Sequence, residues 1–275
     1  MKLQGNIRKM TSKLQETVQY FLPIADELLP MNELIGKSLR IEHTTIINCV
    51  NCGRKIKKGY QQGHCYPCMQ SLASCDMCIL KPETCHYAAG TCREPSWGEA
   101  NCYIDHYVYI ANSSGLKVGI TRGTQIPTRW IDQGASQGLP IFKVKNRLHS
   151  GLIEDALKPF IADKTNWRRM LQGEPEIQDM QRARDKLLEQ AASVLEEVNQ
   201  QFEDGAYQAI DDAETVNINY PITEYPVKIK SFNLDKTPSL EGTLTGIKGQ
   251  YLIFDTGVIN MRKYAGYELA ITDDV

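Results

Sequence analysis

Several things are missing from this 275-residue chain, and each absence removes a class of protein. No apolar run reaches the roughly 18 residues that a membrane-spanning helix needs, so no membrane is expected. The opening stretch, MKLQGNIRKM, lacks the apolar core of a secretory signal, which predicts a cytoplasmic protein. Neither a P-loop nor a dinucleotide-binding glycine motif occurs. Neither sign of charge dominates: 31 Lys and Arg stand against 33 Asp and Glu, a net charge of -2, which implies no strong overall field. Cysteine is absent everywhere outside residues 49–102, although the chain holds nine.

The near-neutral total conceals uneven segments. Residues 1–68 carry 10 basic and 5 acidic side chains, and residues 104–172 carry the same numbers. Residues 173–225 carry 3 and 13. Two basic stretches suit a polyanionic partner. They equally suit internal neutralisation of the acidic arm.

The cysteines come in two groups. Cys49, Cys52, Cys65 and Cys68 form two CxxC pairs with 12 residues between them. A CxxC turn aims two thiolates at one point, and two such turns close a tetrahedral shell around zinc. A closed shell keeps no open position, so this zinc is expected to be structural. Between the pairs, Arg54, Lys55, Lys57, Lys58 and Tyr60 suit phosphate and base contacts, or make an ordinary exposed loop. Cys75, Cys78, Cys85 and Cys92 follow as a second set of four, with His86 or Cys102 as replacements for one of them. A second zinc is expected there, with an iron–sulfur cluster as its main rival. An odd count and a reducing compartment argue against disulfides.

HYVYIANSSGLKVGITR, residues 106–122, alternates as two strands around a Ser-Ser-Gly turn. Tyr107, Tyr109, Lys117 and Thr121 fall on one face and Val108, Ile110, Val118 and Ile120 on the other. Pro127 and Gly134 bracket a helix on which Arg129 and Gln133 share a face. A third strand is expected to carry Lys143, Lys145 and Arg147 as a basic face. The next helix is expected to start at Ser150 as N-cap, with Glu154 off its apolar stripe. Glu154 is four residues before Lys158 and also suits a plain surface ion pair.

Hairpin, helix, strand, helix, with Tyr, Arg and Glu in that order, resembles the GIY-YIG nuclease fold. Tyr107-Val108-Tyr109 is similar to its first tripeptide and Lys117-Val118-Gly119 to its second. The resemblance implies that Arg129 stabilises charge on a phosphoryl group and that Glu154 holds one divalent cation, Mg or Mn. A tyrosine hydroxyl would then orient or deprotonate the attacking water. Two positions depart from the pattern: Lys117 replaces a tyrosine, and Gln133 replaces a common histidine. More widely, CGRKIKKGYQQGHCYPC, CHYAAGTCREPSWGE, KVGITRGTQIPTRWIDQGA and DKTNWRRML resemble a bacterial family catalogued as domain of unknown function 2797.

After Glu154, Trp167 with Arg168 and Arg169 suits stacking on a base and contact with phosphate, or Trp167 packs inward. Residues 174–203 read as one amphipathic helix with an acidic outer face, a possible surface for a protein partner. From Tyr220, short alternating runs broken by glycine predict a small β-barrel. The expected class is α+β, divided as a strand-rich segment (1–47), a Cys-rich zinc block (48–103), a GIY-YIG-like unit with a small antiparallel sheet and helices (104–172), the acidic helix (173–204) and the barrel (205–275). The expected function is zinc-supported nucleic-acid binding on a degenerate nuclease fold. The alternatives are metal-dependent cleavage through Tyr109, Arg129 and Glu154, and a zinc-braced scaffold for protein partners.

Overall fold

The computed structural model describes residues 2–273. Its strands are β1 (Lys2–Asn6), β2 (Thr11–Lys13), β3 (Gln19–Ile24), β4 (Glu27–Pro30), β5 (Ser38–Ile47), β6 (His106–Asn112), β7 (Leu116–Arg122), β8 (Gln137–Val144), β9 (Gln208–Ala209), β10 (Val216–Asn217), β11 (Ser239–Lys248), β12 (Tyr251–Phe254), β13 (Gly257–Asn260) and β14 (Tyr267–Asp273). Its helices are α1 (Tyr66–Ser71), α2 (Pro95–Asn101), α3 (Thr128–Asp132), α4 (Arg147–Leu157), α5 (Trp167–Met170) and α6 (Met180–Asn199). No helix of the described residues is long and apolar enough to cross a membrane. The chain forms two compact units. The first runs from the N-terminus to Gln70, takes in Leu171–Gly173, and resumes at Ile218; the second comprises Ser71–Met170 and Glu174–Asn217.

In the first unit, the expected C-terminal barrel does not form. Strands from both chain ends build one open six-stranded antiparallel sheet in the order β1-β14-β5-β11-β12-β13, beside a three-stranded sheet β2-β3-β4. The reason is an exchange between two similar halves. The hairpin β3–β4 pairs Leu22 with Leu29, and the hairpin β12–β13 pairs Leu252 with Ile259. Each is followed by a short 3₁₀ turn, Met31–Leu34 or Met261–Tyr264. Each turn leads to a glycine in the left-handed region, Gly36 at φ 87° and Gly266 at φ 86°. Met31 and Met261, Gly36 and Gly266, and Ile41 and Ile271 are each 230 positions apart.

The halves lock through equivalent bonds. The Gly36 N–H donates to the Leu244 carbonyl, and the Gly266 N–H donates to the Ile7 carbonyl. In return the Leu244 N–H donates to Lys37 and the Ile7 N–H to Tyr267. At the centre β5 and β14 run antiparallel with Ile41 directly opposite Ile271. Each half thus covers the sheet edge that the other leaves open, which an isolated barrel from residues 205–275 would have to do alone.

The second unit has the order β10-β8-β6-β7, with β9 also on β8. The core packs Val108, Ile110, Val118, Leu139 and Ile141 of the sheet against Ile153 and Leu157 of α4 and Leu187, Ala191 and Leu195 of α6. Two local expectations need correction. Helix α4 starts at Arg147, because the Asn146 side chain accepts the His149 N–H as its N-cap; Ser150 lies inside the helix. The long helix starts at Met180, where Asp179 accepts the Arg182 N–H, rather than at residue 174.

Candidate functional site

The β6–β7 register sets Tyr107 opposite Thr121, Tyr109 opposite Gly119 and Ala111 opposite Lys117. Since opposed residues share a face, the tyrosines and the lysine point the same way. Gly119 is small for a physical reason. A Cβ there would stand 2.6 Å from the Tyr109 hydroxyl, so a larger residue would push the ring out of place. Tyr109 is fully buried. Its ring meets Trp130 of α3 edge-on at 5.8 Å, and its hydroxyl donates to Gln133 Oε1 at 2.9 Å. Gln133, which departs from the pattern that the sequence resembles, accepts the hydrogen bond from this hydroxyl.

Lys117 is 3% exposed. Burial lowers its pKa to about 8; the Arg129 guanidinium pushes the same way, while Glu154 and Asp163 oppose it. Asp163 is brought close because β7 bridges to the following loop, where the Val118 N–H donates to the Ala162 carbonyl at 2.8 Å. Glu154, partly buried on α4, has its pKa raised by burial against the pull of Lys158, Lys117 and Arg129. Lys158 makes its ion pair with Asp155, at 3.0 Å. Burial also raises the Tyr109 pKa, with Arg129 opposing. Tyr109, Lys117, Arg129 and Glu154 thus form one electrostatic cluster, joined by Gln133 and Asp163. Placing a lysine among buried groups costs free energy, and Arg129 adds to that cost. Such arrangements concentrate at functional sites.

The other basic residues do not make a free stripe. Lys143 pairs with Asp105 at 2.7 Å and Lys145 with Asp204 at 2.7 Å. Arg147 turns inward and donates to the Ile79 carbonyl at 2.6 Å, because it begins a helix instead of ending a strand. Arg168 lies over the half-buried Trp167 ring at 4.3 Å, and Arg168 and Arg169 are exposed.

The first cysteine quartet lies in the first unit. The ligand atoms of Cys49, Cys52, Cys65 and Cys68 all lie within 4.8 Å of one another, and Cys52 and Cys65 sulfurs are 3.7 Å apart. The Cys65 N–H donates to Cys49 Sγ at 3.2 Å, and Asn51 Nδ2 donates to Cys68 Sγ at 3.4 Å. Burial raises the Cys49 pKa, but backbone donors at Cys52, Cys65 and Asn51 outweigh it and bring it to about 6. For Cys68, Asn51 pulls down while the Cys65, Cys52 and Cys49 sulfurs and burial push up, to about 12. Four sulfurs this close, with N–H donors to two of them, are suitable for zinc. The loop between these pairs is largely exposed, with Lys58 over the Tyr60 ring at 5.6 Å.

The second group is arranged differently. Cys78, Cys85, Cys92 and Cys102 line one small cavity in the second unit; Cys75 is buried but does not line it. Asp76, Cys78 and His86 also lie within 4.8 Å of one another. Asp76, however, is already paired with Arg93 at 2.7 Å, and a guanidinium at that distance repels a cation.

A family model described as "Protein of unknown function (DUF2797)" matches residues 36–269. The chain belongs to the DUF2797 family. No curated protein and no solved structure matches it. The DUF2797 match spans the zinc-type quartet, the second cysteine group and the Tyr109–Glu154 cluster.

Proposed function

We propose that this DUF2797 chain binds nucleic acid, and that the Tyr109–Lys117–Arg129–Glu154 cluster engages a phosphodiester. The observation that carries this reading is Lys117, a buried lysine beside Arg129 on a sheet face. Two cations held together in a partly desolvated place, with Glu154 and Asp163 beside them, suit a phosphate oxygen as a further partner. The resemblance to GIY-YIG nucleases, drawn from the same residues, agrees. The exposed zinc-loop residues Arg54, Lys55, Lys58 and Tyr60 offer further phosphate and base contacts.

Glu154 favours a second reading, cleavage. Its carboxylate belongs to the cluster while Lys158 makes its ion pair with Asp155. Glu154, with Asp163 nearby, supplies the hard oxygen donors that Mg or Mn prefers. Such an ion, when bound, would polarise the phosphoryl oxygen. Arg129 would meet the charge that develops on the phosphoryl group, and the Tyr109 hydroxyl, hydrogen-bonded to Gln133, would orient the attacking water.

The test uses purified, zinc-loaded protein with labelled single-stranded, duplex and branched DNA and RNA, in the presence of Mg or Mn. Mobility shift and cleavage are scored together, with Glu154→Ala alongside. A shift retained in the variant, with any cleavage lost, supports the reading. Neither shift nor cleavage on any substrate rejects it and favours a scaffold for protein partners.

A further inference from the structure

A second basic place belongs to the first unit. A cavity of about 480 Å³ opens there, lined by Lys57, Lys58, Gln62, Asp235, Lys263 and Tyr267. That volume is in the range of small-ligand pockets. Three distant parts of the chain supply its walls: the loop between the CxxC pairs, the stretch before β11, and the junction of the Met261–Tyr264 turn with β14. Three lysines face one carboxylate, and that carboxylate is already engaged. Asp235 accepts from the Tyr267 hydroxyl at 2.7 Å and stands 3.7 Å from Lys263 Nζ. Lys57 and Lys58 are exposed and make no ion pair among the described residues; Lys58 lies over the Tyr60 ring at 5.6 Å.

The loop wall is held in shape by close packing. A Cβ on Gly59 would stand 3.1 Å from Gly63 Cα, and one on Gly63, at φ 103°, would stand 2.3 Å from the Ala265 carbonyl oxygen. The loop therefore folds on itself and lies directly on the chain just before β14. Tyr60 and His64 exchange backbone hydrogen bonds at 2.8 Å, and Arg262 Nε donates to Gln62 Oε1 at 2.8 Å. Cys52 and Cys65 clamp the two ends of the loop, their sulfurs 3.7 Å apart. A wall built in this way pays little ordering entropy when a ligand arrives.

We infer that this cavity binds the phosphate group of a nucleotide, free or within a strand, with Lys57, Lys58 and Lys263 as its cationic partners. Lysine ammonium groups act as point charges for phosphate oxygens, and three of them around one preformed space suit an anion that offers several oxygens. Beside Lys58, the exposed rings of Tyr60 and Tyr66 meet edge-on at 5.6 Å and offer a face on which a base can stack. The inference rests on the nucleic-acid reading for the class of its ligand. It adds a phosphate contact in the unit that does not hold Lys117.

The experiment is lysine acetylation of the full chain, read by mass spectrometry, with and without adenosine monophosphate or a short single-stranded DNA or RNA oligonucleotide. Lys57, Lys58 and Lys263 should be protected, and Lys228, exposed in the same unit, should not. Protection by the oligonucleotide assigns the cavity to a strand; protection by adenosine monophosphate alone assigns it to free nucleotides, while the nucleic-acid reading fails. The double variant Lys57→Ala with Lys263→Ala removes two exposed side chains and should melt as the wild type does. Its oligonucleotide binding should be weaker, with a salt slope shallower by about two; Lys228→Ala should change neither. Protection by neither probe, or equal protection of Lys228, would overturn the inference. So would oligonucleotide binding that is lost in Lys117→Ala but unchanged in the double variant, a result that leaves the nucleic-acid reading standing.

Discussion

Tyr109 stands directly opposite Gly119 across the β6–β7 hairpin, and a Cβ on that glycine would come within 2.6 Å of the tyrosine hydroxyl. The hydroxyl that donates to Gln133 is thus placed by an absence of side chain on the neighbouring strand. The cluster around Lys117 is organised by this contact.

Gly119→Ala should destabilise the protein by about 1–3 kcal/mol, as overpacking of a filled core does. It should also weaken nucleic-acid binding, because the ring must leave its place. Gly173→Ala is the control, since a Cβ there meets nothing within 4 Å. Urea unfolding and mobility shift on both variants check the expectation. Equal effects in the two would remove the argument from close packing.

Removal of a metal held by the first cysteine quartet should unfold the chain rather than merely inactivate it. Cys49 and Cys65 are 1% and 2% exposed, and structural zinc contributes on the order of 10 kcal/mol to folding in small zinc peptides. Cys49→Ser should lose zinc and the cooperative melting of the first unit, as followed by metal analysis and calorimetry. A variant that loses zinc with an unchanged melting profile would show the metal to be dispensable for the fold.

The two equivalent glycines of the first unit should respond unequally. Gly36 and Gly266 share the same left-handed backbone, so alanine at either costs about 1–2 kcal/mol in conformation. At Gly36 the added carbon meets nothing within 4 Å, whereas at Gly266 it would lie 2.3 Å from the Asn48 carbonyl oxygen. Gly266→Ala should therefore cost roughly 1–3 kcal/mol more, measured by urea unfolding of the two variants.

His106 should make stability sensitive to mild acid. It is fully buried, and burial lowers its pKa to about 4 against Ile104, whose carbonyl accepts from Nδ1. The unfolded chain takes up a proton near 6.5 that the native ring refuses until about 4. The contribution is therefore complete above pH 6.5 and is lost as pH falls towards 4, about 3 kcal/mol in all. In His106→Leu this part of the pH slope should vanish in unfolding measurements between pH 7 and 4.5.

Local features were readable from the chain. The hairpin of residues 106–122, the helix between Pro127 and Gly134 and the first CxxC quartet follow from alternation, turn residues and spacing. What was not readable depends on contacts between distant segments. The sheet of the first unit joins β1 and β5 to β11 and β14, so strands that read as a separate barrel are halves of an exchange. The repeat behind it leaves a trace in Met31, Gly36 and Ile41 against Met261, Gly266 and Ile271, but those matches are sparse and 230 positions apart. The inward turn of Arg147 follows from the Asn146 cap, which competes with Ser150 as a helix start. Cys102 lines the same cavity as Cys78, Cys85 and Cys92 because it directly follows α2, a placement that spacing alone does not give. Gln133 is legible as a neighbour of Arg129 on one helix face, but its bond to Tyr109 is not, and Asp163 joins the candidate site through a loop bridge that periodicity does not reveal.

The most direct test of the central claim is the salt dependence of nucleic-acid affinity for the wild type and Lys117→Ala. Binding of phosphate by cations releases counterions, so log affinity falls linearly with log salt. The account predicts weaker binding in the variant and a slope shallower by about one, the loss of one phosphate contact. Unchanged affinity and slope in a folded variant would contradict it, and would remove Lys117 and its cluster from any role at a phosphodiester.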